Sequence, residues 1–240
     1  MSHNPRNAKA FIAMMAAAGL GSVSYSLSQA HTWHPYQALA LFAIATATSR
    51  MKIQLPRMTG NMSVNLPFLL LAVASLNLVE ALAVACASAV MQSFSKEWLV
   101  PNLEQMLFNL STMLFATALA WGAFHQAFVA NPPFSSGLAV SLAAATFFLG
   151  QTMPVSTIIA LSGNQPFRKV WTNMAQLTFP YFVLSAGVAS ISLSAGNHVG
   201  WQLPVFTLPV MFGVFRSYQV YFQSEAAAEK PLAMAATAGN

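Results

Sequence analysis

Three stretches of this chain contain no Asp, Glu, Lys or Arg: Ala10–Ser49, Gln105–Phe167 and Val170–Phe215. Each is longer than the roughly 20 apolar residues that take a helix across a bilayer. Uninterrupted neutral runs of that length have no place in a water-soluble domain, where about a quarter of residues are charged. Charged side chains make up 6% of the 240 residues and hydrophobic ones 56%, so the chain belongs in a membrane. Each stretch is broken once, near its middle, by a cluster of turn-forming residues: Ser28–Pro35 (SQAHTWHP), Ala130–Gly137 (ANPPFSSG) and Ser194–Gly200 (SAGNHVG). The expected fold is an all-α integral membrane protein with six full transmembrane helices arranged as three hairpins with uncharged tips.

The positions of the cations set the orientation, because short cytoplasmic loops collect Lys and Arg. Arg6 and Lys9 precede the first crossing; Arg50, Lys52 and Arg57 follow the second; Lys96 precedes the third. Arg168 and Lys169 separate the fourth from the fifth, and Arg216 and Lys230 follow the sixth. All ten basic residues then fall on one side. Such a chain is expected in a bacterial inner membrane with both termini cytoplasmic and the hairpin tips outside.

One further apolar segment, Val64–Phe94, tests this scheme. A single crossing there would move Lys96, Arg168, Lys169 and Arg216 outside, whereas an even number of crossings keeps the bias intact. Two full spans need about 40 residues, and the segment offers 31. A short re-entrant or hairpin helix pair is therefore expected, turning near Leu76–Glu80 (LNLVE). Irregular backbone at that depth survives only when buried in protein or beside water, which places Glu80 inside the bundle. Residues 1–223 form one polytopic domain in this scheme, and 224–240, rich in Ala, form a disordered cytoplasmic tail.

Aromatic residues agree with the boundaries. Trp33 and Trp201 fall at expected outer interfaces, Trp98 and Trp171 at inner ones. The single Cys86 excludes an intrachain disulfide and metal sites that need several thiolates. The basic start, apolar run and Ser28-Gln29-Ala30 have the outline of a cleaved signal peptide, but the run is long and a polytopic continuation follows at once, which favours a retained helix.

Catalytic parts are scarce. The sequence has no Gly-rich phosphate loop, HExxH, GxSxG or Cys/His cluster with tetrahedral spacing. With no Asp and five Glu, two-carboxylate hydrolysis and magnesium-dependent phosphoryl transfer lack their usual groups. No enzymatic activity, cofactor, resident metal or nucleic-acid partner is expected.

Four features stand out. Glu80 is the only acid inside an apolar segment, and an ionisable group there is costly enough to suggest function; it also suits a helix N-terminus or turn, paired with Arg50, Arg57 or backbone N–H groups. The segment Arg50–Asn65 (RMKIQLPRMTGNMSVN) is broken by Pro56 and Gly60 and offers Arg50, Lys52, Arg57 and Asn61 as donors. It is either a topology-setting inner loop or a holder of an anionic ligand or a partner's acidic surface. Asn102, Gln105, Asn109 and Thr112 share one helical face, for interhelical hydrogen bonds or a polar cavity. His31, His34, His125 and His198 all fall near outer tips, where scattered interfacial residues or a pH sensor are the two options.

The run Thr48–Pro56, then Thr59–Asn65 and the apolar stretch through Glu80 to Gln92, resembles the N-terminal integral-membrane sensory regions of bacterial GGDEF and HD-GYP signalling proteins. Those regions often show K-x-x-L-P-G-x-x-G-x-x-S-V followed by an apolar pair with a central Glu. The likeness covers about residues 45–112, including Gln105–Asn109. Arg57 stands where a Gly is usual, and no output module is expected after the last helix. The resemblance implies a stand-alone sensory or ligand-binding membrane module that acts through a protein partner in the membrane or at its cytoplasmic face, with a small-molecule ligand as one possible input; it implies no cyclic-dinucleotide chemistry. Two alternatives remain open: a substrate-binding subunit of a vitamin-type transporter, for which the small residues Ala16–Gly19, Gly21 and Ser22 would allow close helix packing, and a structural subunit or assembly factor of a larger membrane complex.

Overall fold

The computed structural model describes residues 5–29, 32–54, 61–94, 103–130, 136–199, 207–217 and 220. Its elements are α1 (Pro5–Leu27), α2 (Pro35–Ser49), β1 (Lys52–Gln54), β2 (Asn61–Ser63), α3 (Leu66–Ser75), α4 (Leu78–Ser93), α5 (Leu103–Ala130), α6 (Ser136–Gly163) and α7 (Phe167–Val199). A further helix, α8, covers 207–217.

The breaker clusters act as turns to different degrees. α1 ends at Leu27 and α2 opens at Pro35, where the fixed proline φ suits a first helical position. α5 ends at Ala130 and α6 opens at Ser136. The third cluster differs: α7 continues through Ser194 and Ala195 to Val199, because one interior Gly costs a helix only about 1 kcal/mol while an open backbone in an apolar setting costs more. The tight α6–α7 link is closed by Asn164 at φ 50 and by Gln165 N–H donating to Ala160 O at 3.2 Å. That is the Schellman arrangement, with Asn in the left-handed position usually held by Gly.

Among the described residues, four helices contain segments long and apolar enough to cross a membrane: Arg6–Leu27, Leu103–Gln126, Gly137–Gly163 and Phe167–Ala195. The other two hairpin arms are shorter in the described residues. α2 has 15 residues, a length of about 22 Å against a hydrocarbon thickness near 30 Å. The segment expected to turn back does so at Leu76–Asn77, giving α3 with 10 residues and α4 with 16. α3 is apolar all round and buried from Leu66 to Val73, as a central helix must be; α2, α4, α5, α6 and α7 all pack on it.

Side-chain contacts fix the helix directions. Lys9 Nζ lies 3.4 Å from Glu104 Oε1, so α1 and α5 start at the same end. Trp171 Nε1 donates to Thr152 Oγ1 across the α6–α7 hairpin, and Gln151 on α6 reaches Met113 on α5, so α7 starts at that end too. α4 runs against α5, with Leu78 and Leu82 packed on Leu114. Lys9, Arg50, Lys52, Arg168 and Lys169 therefore gather at one end of the bundle, the basic end.

The segment between α2 and α3 contains an element the apolar pattern did not announce. β1 and β2 pair antiparallel, with Lys52 opposite Ser63, Ile53 opposite Met62 and Gln54 opposite Asn61. The fold is all-helical in class, as expected, with this one small β-hairpin added. Tyr181 Oη on α7 donates to Ser63 O at 3.1 Å and anchors it.

α5 and α6 approach closely at Gly150, where an added Cβ would lie 3.1 Å from both Cα and Cβ of Ala116. Gly150→Leu is expected to lower stability by about 1–3 kcal/mol through overpacking, read as a lower unfolding midpoint in detergent. Gly21→Ala, with nothing within 4 Å of the new Cβ, should leave that midpoint in place.

Candidate functional site

Glu80 is 6% exposed and occupies the N3 position of α4. Asn77 is the N-cap: its Oδ1 accepts from Glu80 N–H at 2.9 Å while Glu80 Oε2 accepts from Asn77 N–H at 3.4 Å, which completes a capping box. The second carboxylate oxygen reaches farther. Glu80 Oε1 accepts from His34 N–H at 2.9 Å, and His34 is the N-cap of α2. One carboxylate therefore sits at the N-termini of two helices, where the aligned peptide dipoles favour negative charge. Of the partners considered for Glu80, backbone N–H groups are the ones found.

The same turn gathers further bonds. Asn77 Nδ2 donates to Thr32 O at 3.0 Å, and Trp121 Nε1 on α5 donates to Leu76 O at 3.1 Å. His125 stacks on Trp121 with ring centroids 3.9 Å apart and places Nδ1 2.9 Å from Trp121 O. Contacts from the α1–α2 tip and from α5 thus converge on the two-residue turn Leu76–Asn77.

Lys52 marks the other end of α4. Its Nζ donates to Gln92 O at 2.6 Å and to Phe94 O at 2.7 Å, so a cation meets the carbonyl end of the helix. Partial burial, and next the charge of Arg50, push its pKa below the ordinary lysine value of 10.5. Arg50 is the C-cap of α2: its backbone N–H donates to Ala47 O at 3.3 Å and that of Met51 donates to Thr48 O at 3.0 Å. α2 and α4 consequently lie parallel, fastened by a carboxylate at their N-termini and by an ammonium beyond their C-termini.

The residues singled out from sequence separate into two groups. Glu80 stands at the end opposite the cations, whereas Arg50, Lys52 and Gln105 stand at the basic end. Gln105 is exposed, Asn109 half-buried and Thr112 buried along the start of α5. Asn61 belongs to β2; Arg57, Asn102 and His31 lie outside the described residues. Asn77, Thr32 and Trp121 were not singled out. Of these only Asn77 left a sequence signal, the N-x-x-E spacing of a capping box. Among the described residues no three His, Cys, Asp or Glu side chains form a group able to hold a metal ion.

The family model for MASE9 matches residues 36–222, from the first turn of α2 past the end of α8. The chain belongs to the MASE9 family. This is a family of membrane-associated sensory domains, so a membrane location and a sensory type of domain follow for this chain. The MASE9 match encloses the α2–β1–β2–α3–α4 segment and with it Glu80 and Lys52. No curated protein and no solved structure matches the chain significantly.

Proposed function

We propose that this MASE9 domain is a non-enzymatic sensory unit of a bacterial inner membrane that receives its input near the Leu76–Asn77 turn and passes it to a protein partner at the basic end. The observation that supports this reading is the fastening of α2 to α4 at both ends, by Glu80 on His34 N–H and by Lys52 on Gln92 O and Phe94 O. A pair held in this way moves as one piece, so a displacement at the Thr32–His34 tip is delivered to the β-hairpin and the cations beside it. Six crossings with cytoplasmic termini suit this arrangement, with the basic end inside by the positive-inside rule. Arg50 would face an acidic partner surface there while Lys52 holds the end of α4.

The test is affinity purification of the full chain in mild detergent, with the bound protein identified and its stoichiometry measured. A cytoplasmic signalling protein retained at a fixed ratio by the wild type, and lost with Arg50→Glu, is the expected result. Retention that ignores Arg50→Glu, or recovery of the chain in a large stoichiometric membrane complex, would count against it. Orientation is tested separately by cysteine labelling in cells: Trp33→Cys should react with an impermeant maleimide from outside, and Lys169→Cys only after the inner face is opened.

A further inference from the structure

α7 has two opposite faces. Tyr181, Ser185, Ala189 and Ser192 are buried against the bundle, whereas Asn173, Gln176, Pro180, Val183, Gly187 and Ile191 are exposed. At 3.6 residues per turn these six fall within an arc of about 80° on the far side of the helix. Two of the six are carboxamides, and their depth is unusual. The apolar span Phe167–Ala195 has 29 residues, more than the roughly 20 that cross the hydrocarbon layer. Centred on the span, that layer takes about residues 171–191, with Trp171 at its inner edge, where interfacial Trp residues stand. Asn173 and Gln176 then face lipid, which offers neither a donor nor an acceptor. Among the described residues neither side chain makes a hydrogen bond. Pro180 adds to the deficit, because it has no N–H and leaves Gln176 O without the donor a helix usually supplies four residues on. The exposed amides of the other apolar spans, Asn7, Gln105 and Gln126, stand within three residues of a span end, at the level of the headgroups.

The chemistry of the face indicates what covers it. A carboxamide both donates and accepts, so it is complementary to itself. Two copies of one chain inserted alike hold their α7 helices parallel, and around a two-fold axis along the membrane normal equal depths meet: Asn173 beside Asn173, Gln176 beside Gln176. Any other partner would need amides of its own at both depths. Nothing lies within 4 Å of a Cβ added at Gly187, so a second backbone has room to approach there, as it does at small residues of transmembrane helix pairs. From 170 to 195 the helix carries no charge. Lys169, on the same side, stands outside the hydrocarbon layer, where salt screens one copy from the other.

We propose that the exposed face of α7 is a homodimer interface in which Asn173 and Gln176 pair with their counterparts in a second copy of the chain. The amide of each Gln176 also has the unmatched Gln176 O of the other copy as an acceptor. The interface follows from the polarity and depth of this face and does not rest on the sensory reading.

Two measurements on the full chain in lipid test it. In a Cys86→Ser background, Val183→Cys on the arc should give a disulfide-linked dimer when native membranes are treated with copper phenanthroline. Leu149→Cys, equally exposed to lipid near the middle of the α6 span, should not. The second measurement is the dissociation constant of the dimer in liposomes, from energy transfer between fluorescently tagged copies at increasing lipid dilution. Asn173→Leu/Gln176→Leu should raise it about tenfold, the loss expected for two modest interhelical hydrogen-bonded pairs. Crosslinking through Leu149→Cys as efficient as through Val183→Cys, absence of energy transfer at every dilution, or an unchanged constant in the double variant overturns the proposal. The Val183→Cys comparison keeps both amides, so it decides the matter even where the double variant fails to fold.

Discussion

Glu80→Ala is expected to lower the unfolding free energy by about 3 kcal/mol, since bonds to a charged acceptor contribute about 1.5–3 kcal/mol and loss of a helix cap about 1 kcal/mol. The carboxylate accepts from His34 N–H and Asn77 N–H, and both donors would lose it at once. Glu80→Gln should cost less, about 1 kcal/mol, because an amide oxygen still accepts one bond while the charge at two helix N-termini is gone. Chemical unfolding in detergent gives the magnitudes. Hydrogen exchange gives the location: peptides containing His34 and Asn77 should lose protection in Glu80→Ala, and the α5 segment around Thr117, buried in the bundle, should keep it. A Glu80→Ala protein that unfolds at the wild-type midpoint would show that the carboxylate has no structural role at this turn.

The behaviour of Glu80 also shows how far sequence reaches here. Its interior placement follows from composition, because a lone acid in an apolar segment must be shielded from lipid. Its role at the α4 N-terminus is written in Asn77-Leu78-Val79-Glu80, where a capping Asn stands three residues before a Glu at the head of an apolar run. Its bond to His34 is not written anywhere, since a partner 46 positions away is a main-chain group whose presence any residue but proline would supply. The return of the chain at Leu76–Asn77 was legible from segment length and charge sidedness together. The β-hairpin was not: Lys52–Gln54 and Asn61–Ser63 are three-residue strands, too short for a period-two alternation to register. Gln105, Asn109 and Thr112 share a face of α5, along which the helix passes from the exposed rim into the core, so exposure falls from one to the next. Sidedness of charge is a sum over many residues, and among the described ones Lys9, Arg50, Lys52, Arg168 and Lys169 share one end.

Lys52→Met is expected to lower stability by about 2 kcal/mol, through loss of two charge-assisted bonds to the last carbonyls of α4; the partial exposure of the ammonium keeps the loss below that at Glu80. Combined with Glu80→Gln, the stability losses should add within about 0.5 kcal/mol, because the two groups stand near opposite ends of a 16-residue helix, roughly 20 Å apart. Partner association should behave otherwise. If α2 and α4 transmit displacement as one piece, a change at the Glu80 end reaches the basic end only while Lys52 holds Gln92 O and Phe94 O. Glu80→Gln should therefore alter retention of the partner in a chain with Lys52 and have no further effect in Lys52→Met. Equal effects of Glu80→Gln in both backgrounds would mean that the ends act independently and that the fastening at Lys52 is structural alone. Additive stability with non-additive association distinguishes a transmitting helix pair from two separate clamps.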